Sequence, residues 1–243
     1  MVVKILKITD EFVFVRKPFG LPTTYRNDED NGNCAVRQVT ELYPELLNVL
    51  GYKEREGGLL YRLDNDTAGL LIFCRNTEIF NQYRMLQDRD RLFKRYVAIV
   101  DKTSNWKPGF SQFDYKFSKI HKVFCDDSYR ELYPFDGFKN GLDNELFSKI
   151  DFLIIHGRKT KKRMEVVKSR LSDKYITYFR KIDEKKDKFM LEVLIQKGIR
   201  HQIRVHLKNI GLPIVNDKLY NRELAIEGQN MGLYCCGLLT SIN

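Results

Sequence analysis

The apolar residues of this chain come in short runs of β-forming residues, each stopped by turn residues, and that pattern limits what it can fold into. Phe12-Val13-Phe14-Val15 runs into Pro18 and Gly20. In the stretch GGLLYRLDNDTAGLLIF, residues 57–73, the strand-like segments Leu59 to Tyr61 and Leu70 to Cys74 flank a polar knot, Arg62-Leu63-Asp64-Asn65-Asp66. Tyr96 to Val100, Tyr175 to Phe179 and Phe189 to Gln196 add three more strands, and the DEKKDK run from Asp183 to Lys188 is expected to be a solvated hairpin loop. Helical periodicity is confined to three places. Val36, Val39, Leu42, Leu46 and Val49 lie between Ala35 and Leu50, with a break expected at Pro44. Ile79, Phe80, Tyr83 and Leu86 follow a cap expected at Thr77. After Gly198, Arg200, Arg204 and Lys208 recur every four residues as one basic stripe, and Gly211 with Pro213 beyond closes the segment. The segment at about 102–163 is divergent and reads as an insertion or an elaborated hairpin. The expected fold is α/β mixed (α+β): one domain over residues 1–243, dominated by strands in one sheet system.

Composition narrows the class. With 43% hydrophobic and 12% aromatic residues in 243, the chain can bury a sizeable core and is not a disordered one. No apolar run reaches bilayer length, and the lysine-interrupted start, Met1 to Lys7, lacks a signal-peptide pattern, so no membrane partner is expected. Forty-two Lys and Arg against 32 Asp and Glu give a net charge of +10, which attracts polyanions and makes nucleic acid the first partner to consider. The five cysteines (Cys34, Cys74, Cys125, Cys235 and Cys236) form no CxxC pair, which points to a reducing, cytoplasmic setting without a zinc site.

The knot sets an arginine and two carboxylates, Arg62, Asp64 and Asp66, between two apolar segments. Asp64 and Asp66, two apart on an extended segment, share a face. They could hold Mg²⁺ for phosphoryl chemistry, but no third acidic ligand accompanies them; Asp66 is better read as ordering the turn. His201 and His206, five apart, lie poorly on one helix face, so no metal is expected there either. The run HGRKTKKR, His156 to Arg163, reads as a phosphate clamp through Lys159, Lys161, Lys162 and Arg163, or as a plain surface loop.

Four blocks, in order, carry a resemblance. VRKPFGLPT (Val15 to Thr23), YRLDNDTAGLLIF (Tyr61 to Phe73), KRYVAIV (Lys94 to Val100) and GIRHQIRVHLKNIGLPIVNDKLY (Gly198 to Tyr220) resemble the motifs of the RluA-type RNA pseudouridine synthases. Several positions depart from the family pattern: Arg16 for Asn, Tyr61 for His, Ala68 for Ser, Ile199 for Arg and Asn216 for Gly. The closing GLYCCGLLTSIN resembles a shortened form of the family's last segment, and with the VRKP element at Val15 no separate N-terminal RNA-binding domain is expected.

The resemblance implies a long, bent, largely antiparallel sheet with flanking helices and a central basic cleft. It implies isomerisation of specific uridines in ribosomal or transfer RNA, with no cofactor and no metal. Asp64 is implied as the catalytic carboxylate, Tyr96 as the aromatic that stacks on a flipped uracil, and Arg204 as the cation that keeps Asp64 ionised in a dry pocket. Arg62, Lys94, Arg200 and His201 join the basic run as RNA contacts. A monomer is expected. The rival reading is a non-catalytic RNA-binding or ribosome-assembly protein that keeps the fold.

Overall fold

β-Formers dominate, and the structure turns them into strands. It is a computed structural model that describes residues 1–27, 32–106, 112–113, 120–132, 146–157 and 162–241. The chain divides into two compact units, Met1–Arg89 and Asp90–Asn243.

The first unit builds a three-stranded antiparallel sheet from β1 (Lys4–Ile8), β2 (Phe12–Lys17) and β3 (Ala68–Cys74), with β2 in the middle. β2 and β3 pair from Phe12 opposite Cys74 to Lys17 opposite Gly69. All seven residues of β3 are buried, which suits its continuous apolar run. Helix α1 (Ala35–Leu42) starts where the Cys34 sulfur accepts the Arg37 N–H, and Pro44 then opens a 3₁₀ turn, Pro44–Asn48, the break expected at that proline. Helix α2 (Thr77–Asp88) is capped one residue earlier than expected: the Asn76 side chain accepts the Ile79 N–H at 2.8 Å.

The second unit is an antiparallel sheet around β4 (Leu92–Asp101). The divergent middle segment supplies β5 (Gln112–Phe113), β6 (Ile120–Cys125), the short α3 (Tyr129–Leu132), β7 (Phe147–Ile150) and β8 (Phe152–His156), and β9 (Met164–Leu171) follows it. Then follow β10 (Thr177–Lys185), β11 (Lys188–Ile195), helix α4 (Gln202–Asn209) and β12 (Leu233–Ser241). The strand order is β12-β4-β11-β10-β7-β5, with β6 on the other edge of β12. Among the described residues of the middle segment, β5, β6 and β7 join this sheet, while β8 forms a separate two-stranded hairpin with β9. The DEKKDK run is mostly strand: Lys185 pairs with Lys188, and only Lys186, at φ 55°, and Asp187 turn.

β4 is buried along all ten residues, Lys94 and Arg95 included. Its Arg95 would be costly there alone. It donates from Nε to Glu192 on β11 at 2.6 Å, and Arg180 on β10 donates to the other oxygen of Glu192 at 2.5 Å. A buried carboxylate shared by two guanidinium groups fixes three adjacent strands.

Helix α4 ends as its glycine requires. The Leu212 N–H reaches back to the Leu207 carbonyl at 2.9 Å and the Gly211 N–H to Lys208 at 3.1 Å, with Gly211 at φ +86°. Among the described residues no helix is long and apolar enough to cross a membrane.

Candidate functional site

In the first unit, the polar knot is a turn between two paired apolar segments. Residues 58–60 run antiparallel to β3: the Cys74 N–H donates to the Gly58 carbonyl at 2.8 Å, the Leu60 N–H to Ile72 at 3.0 Å, and Leu59 faces Phe73. Gly58 is required by closeness, since a Cβ there would sit 1.9 Å from the Cys74 carbonyl oxygen. Tyr61, where the family has His, is buried and donates its hydroxyl to the Leu70 carbonyl at 3.0 Å, tying the start of the turn to its end.

The turn is then gripped from the N-terminal element. The Thr23 hydroxyl donates to the Leu63 carbonyl at 2.7 Å and accepts the Leu63 N–H at 3.1 Å. The Gly20 N–H donates to the Asn65 carbonyl at 2.8 Å, and the Thr67 N–H closes back on the Asp64 carbonyl at 3.1 Å. Beneath these, the ammonium of Lys17 donates to the carbonyls of Leu21 at 2.7 Å, Asn65 at 2.9 Å and Pro18 at 3.0 Å. Lys17 is 0% exposed. Burial pushes its ammonium down to about 7, opposed by the charges of Asp66 and Asp64. Three carbonyl partners and full burial make Lys17 a support of the turn. Asp64 stands half-buried on this frame, and Asp66 is exposed. Arg62 is exposed, 4.0 Å from Glu56.

In the second unit, α4 carries Arg204. The four-residue spacing predicts one stripe of Arg200, Arg204 and Lys208 on a solvated helix face. The helix begins instead at Gln202, so Arg200 precedes it in the open, Lys208 is exposed and Arg204 is buried. The Arg204 fork binds Asp217 at two points, Nε to Oδ2 and Nη2 to Oδ1, both 2.8 Å. Asp217 Oδ1 also accepts the N–H groups of Leu219 and Tyr220 at 2.9 and 3.0 Å. Burial pushes the Asp217 carboxyl up, but the hydrogen bond and charge of Arg204 and the two N–H groups outweigh it and hold the acid below its ordinary value. Asn216 sits at φ 56°, a left-handed backbone in which glycine is easiest and asparagine is among the few tolerated alternatives; that explains the exchange at this position of the motif.

Helix α4 is fixed from below by polar side chains. His206, fully buried, places Nε2 3.0 Å from the Phe152 carbonyl and Nδ1 2.9 Å from the Thr177 hydroxyl. Gln202 donates to the Ile176 carbonyl and the Thr177 hydroxyl and accepts the Ile199 N–H. His201, at φ 57°, points Nδ1 to the Tyr220 hydroxyl at 3.0 Å. Both histidines therefore serve as packing and hydrogen-bonding groups. Among the described residues, no three His, Cys, Asp or Glu side chains gather as metal ligands.

Tyr96 and Lys94 lie two apart on β4 and share a strand face, both 5% exposed. Lys94, counted from sequence among the RNA contacts, is an interior residue. Burial pushes its ammonium down to about 8, opposed by Cys235. Its Nζ lies 3.2 Å from where a Cβ of residue 198 would be, so Gly198 leaves room for it at the entrance to α4.

The described ends of the basic run belong to the β8–β9 hairpin: His156 pairs with Met164, and the Gly157 N–H donates to the Arg163 carbonyl at 2.8 Å. Lys159 and Lys161 lie outside the described residues. Lys162 is exposed, and Arg163 stands over the Tyr220 ring at 5.3 Å. Ile154, Met164, Val205 and Tyr220 form the core under the hairpin, with Ile199, the exchanged position, packed against them.

Arg204, His201 and Arg163 stand out from sequence, and the structure gathers all three around Tyr220. Asp217, Tyr220 and Thr23 do not stand out. For Asp217 a signal exists: an arginine in the middle of an apolar helix needs a nearby carboxylate, and NDKLY supplies one.

The same blocks place the chain among known proteins. The family model for RNA pseudouridylate synthase matches residues 11–209. The chain is 24% identical over 237 residues to the mitochondrial pseudouridylate synthase RPUSD4 of Mus musculus, covering 94% of this chain and 54% of that one. It is 26% identical over 220 residues to the ribosomal large subunit pseudouridine synthase D of Nitrosomonas europaea, covering 90% and 50%. The chain thus spans about half the length of these curated relatives. In fold it is similar to human RNA pseudouridylate synthase domain containing 1, with a TM-score of 0.57 at 15% identity over 99% of this chain and 83% of that one. Human RNA pseudouridylate synthase domain containing 4 gives 0.55 at 18% identity over 98% and 87%. With the family model spanning most of its length and the family's motif blocks falling on the Asp64 turn, β4 and α4, the chain belongs to the RNA pseudouridylate synthases of RluA type.

Proposed function

We propose that this chain isomerises uridine to pseudouridine in ribosomal or transfer RNA and that Asp64 is the carboxylate that does it. The observation that carries the reading is the support under the Asp64 turn. An ordinary surface turn needs neither a buried ammonium bonded to three carbonyls nor a threonine bonded both ways to one residue's backbone. Such a frame is what a reactive group needs when its position must be held within a fraction of an ångström.

In the reaction the bond between ribose C1′ and uracil N1 breaks, the ring turns, and C1′ bonds to C5. The C5 proton leaves and N1 ends protonated, so the product is an isomer and no redox partner takes part. Asp64 can attack C1′ or C6, or take a ribose proton, and each route uses its anionic form. Arg204 supplies the positive charge that keeps the acid ionised, as the resemblance implies. Tyr96 stacks on the extruded base, a role suited to a buried aromatic on a fully paired central strand. Arg62, Arg200 and the hairpin tip contact the phosphates. The enzyme works as a cytoplasmic monomer without cofactor or metal.

The test has two arms. Pseudouridine is mapped in cellular RNA with and without the gene, and Asp64→Asn is assayed on the RNA so identified. Loss of a specific pseudouridine without the gene, and loss of product with RNA binding retained in Asp64→Asn, is the expected result. Undiminished product from Asp64→Asn overturns the assignment, and an unchanged RNA map favours a binding protein that keeps the fold.

A further inference from the structure

Tyr220 is 5% exposed and meets both the basic hairpin and the arginine of α4. Its hydroxyl accepts the Met164 N–H at 2.7 Å, lies 3.3 Å from the Met164 carbonyl, and meets His201 Nδ1 at 3.0 Å. Met164 is the first residue of β9, directly after Lys162 and Arg163. The ring of Tyr220 lies 5.3 Å from the guanidinium carbon of Arg204 and 5.3 Å from that of Arg163. Both distances are within cation–π range. The backbone N–H of the same residue binds the Asp217 carboxylate that holds Arg204.

We infer that Tyr220 is a positioning residue that couples the β8–β9 hairpin to Arg204. Its hydroxyl sets the hairpin base, its ring supports one arginine of the tip and the arginine of α4, and its N–H orients the acid that holds the latter. A tyrosine suits this because its ring is rigid and apolar and its far end is polar, so one side chain can serve packing, cation and hydrogen bond together. A phenylalanine would keep the first two and lose the third. RNA engaged at Arg163 and the setting of Arg204 then depend on one support rather than on two independent ones.

The inference rests on the proposed RNA-modifying role only for its consequence in turnover; the coupling itself is read without activity. Tyr220→Phe removes the hydroxyl and Tyr220→Leu removes the ring as well. In an Asp64→Asn background, binding of a synthetic stem–loop RNA with a uridine-rich loop is titrated against salt, and amide exchange is followed at Met164 and along β4. For Tyr220→Phe the expected result is faster exchange at Met164 by about three- to tenfold, the size of one missing hydrogen bond, with β4 still protected. The salt slope falls by about one, as it does when a displaced Arg163 no longer reaches its phosphate. In the active chain Tyr220→Phe raises KM and spares kcat, while Tyr220→Leu lowers kcat too. Unchanged Met164 exchange with an unchanged salt slope in Tyr220→Phe overturns the coupling, as does loss of protection that extends to β4. A chain that makes no pseudouridine, but shows the exchange and salt effects, overturns the functional reading and leaves the coupling standing.

Discussion

Arg204 and Asp217 are joined at two points 2.8 Å long, with the arginine 4% and the aspartate 0% exposed. The pair ties α4 to the loop after it and sets the direction in which the guanidinium faces. Asp217→Asn removes the charge that two nitrogens of Arg204 bond and leaves a buried cation without it. The expected loss is about 3–5 kcal/mol by urea unfolding, and the double variant Arg204→Met with Asp217→Leu loses less than the sum of the singles. The acid side follows from the depressed folded value: the Asp217 contribution is fully present above the ordinary aspartate value of about 3.9 and is lost as pH falls below it toward the folded value.

His206 gives an acid sensitivity in a different window. Its Nε2 faces a carbonyl, which can only accept, so Nε2 carries the proton. Nδ1 then accepts from the Thr177 hydroxyl, which in turn accepts from Gln202. Burial pushes the imidazole down to about 4. The unfolded chain therefore takes up a proton near pH 6.5 that the folded chain refuses until about 4. Stability is full above 6.5 and falls by about 3 kcal/mol on the way down to 4. His206→Gln is expected to flatten unfolding free energy between those pH values; a variant with the same acid limb as the parent rules the histidine out as its source.

The sheet is legible in the sequence because its strands are short apolar runs: β2, β3, β4, β10 and β11 all fall where the β-formers cluster. Boundaries are less legible where charge is tolerated. Asp183 to Lys185 continue β10 because an exposed strand edge accepts charged side chains as readily as a loop does. Arg204 reads as a member of a solvated stripe because periodicity records spacing, not depth; its depth is set by Asp217, thirteen residues on, which no helical pattern contains. The middle segment hides its strands because their partners lie far along the chain, β6 on β12 and β7 on β10. Asp64 can be picked out from its motif alone. The frame beneath it cannot, since it is made of backbone carbonyls, and sequence does not advertise those.

Glycine at position 58 tests how tightly that turn is paired. A methyl group there would lie 1.9 Å from the Cys74 carbonyl oxygen, so Gly58→Ala must pry residues 58–60 from β3. The expected cost is about 3 kcal/mol or more in unfolding free energy, with product formation abolished. Gly228 is the control: its φ is +78°, but nothing lies within 4 Å of a Cβ, so Gly228→Ala costs only about 1–2 kcal/mol. Gly58 itself has no left-handed φ, so a loss no larger than that of Gly228→Ala would show that its close approach to Cys74 is relieved without cost.

Lys17 tests the frame itself. Lys17→Met keeps the stem and removes the donor from the carbonyls of Pro18, Leu21 and Asn65, and each buried carbonyl left unsatisfied costs about 1–3 kcal/mol. The pH dependence separates this from simple packing loss. The folded ammonium, pushed down to about 7 by burial, releases its proton well before an unfolded lysine does at about 10.4. Between those values the unfolded chain binds more protons, so the Lys17 contribution grows as pH rises from about 7 toward 10.4. Urea midpoints of parent and variant at pH 7 and pH 9 measure it: the gap between them widens at the higher pH. Lys17 is enclosed and bonds only backbone, so Lys17→Met also lowers product formation while RNA affinity and its salt slope hold. A fall in the salt slope would instead make Lys17 a phosphate contact and would move the support of Asp64 elsewhere.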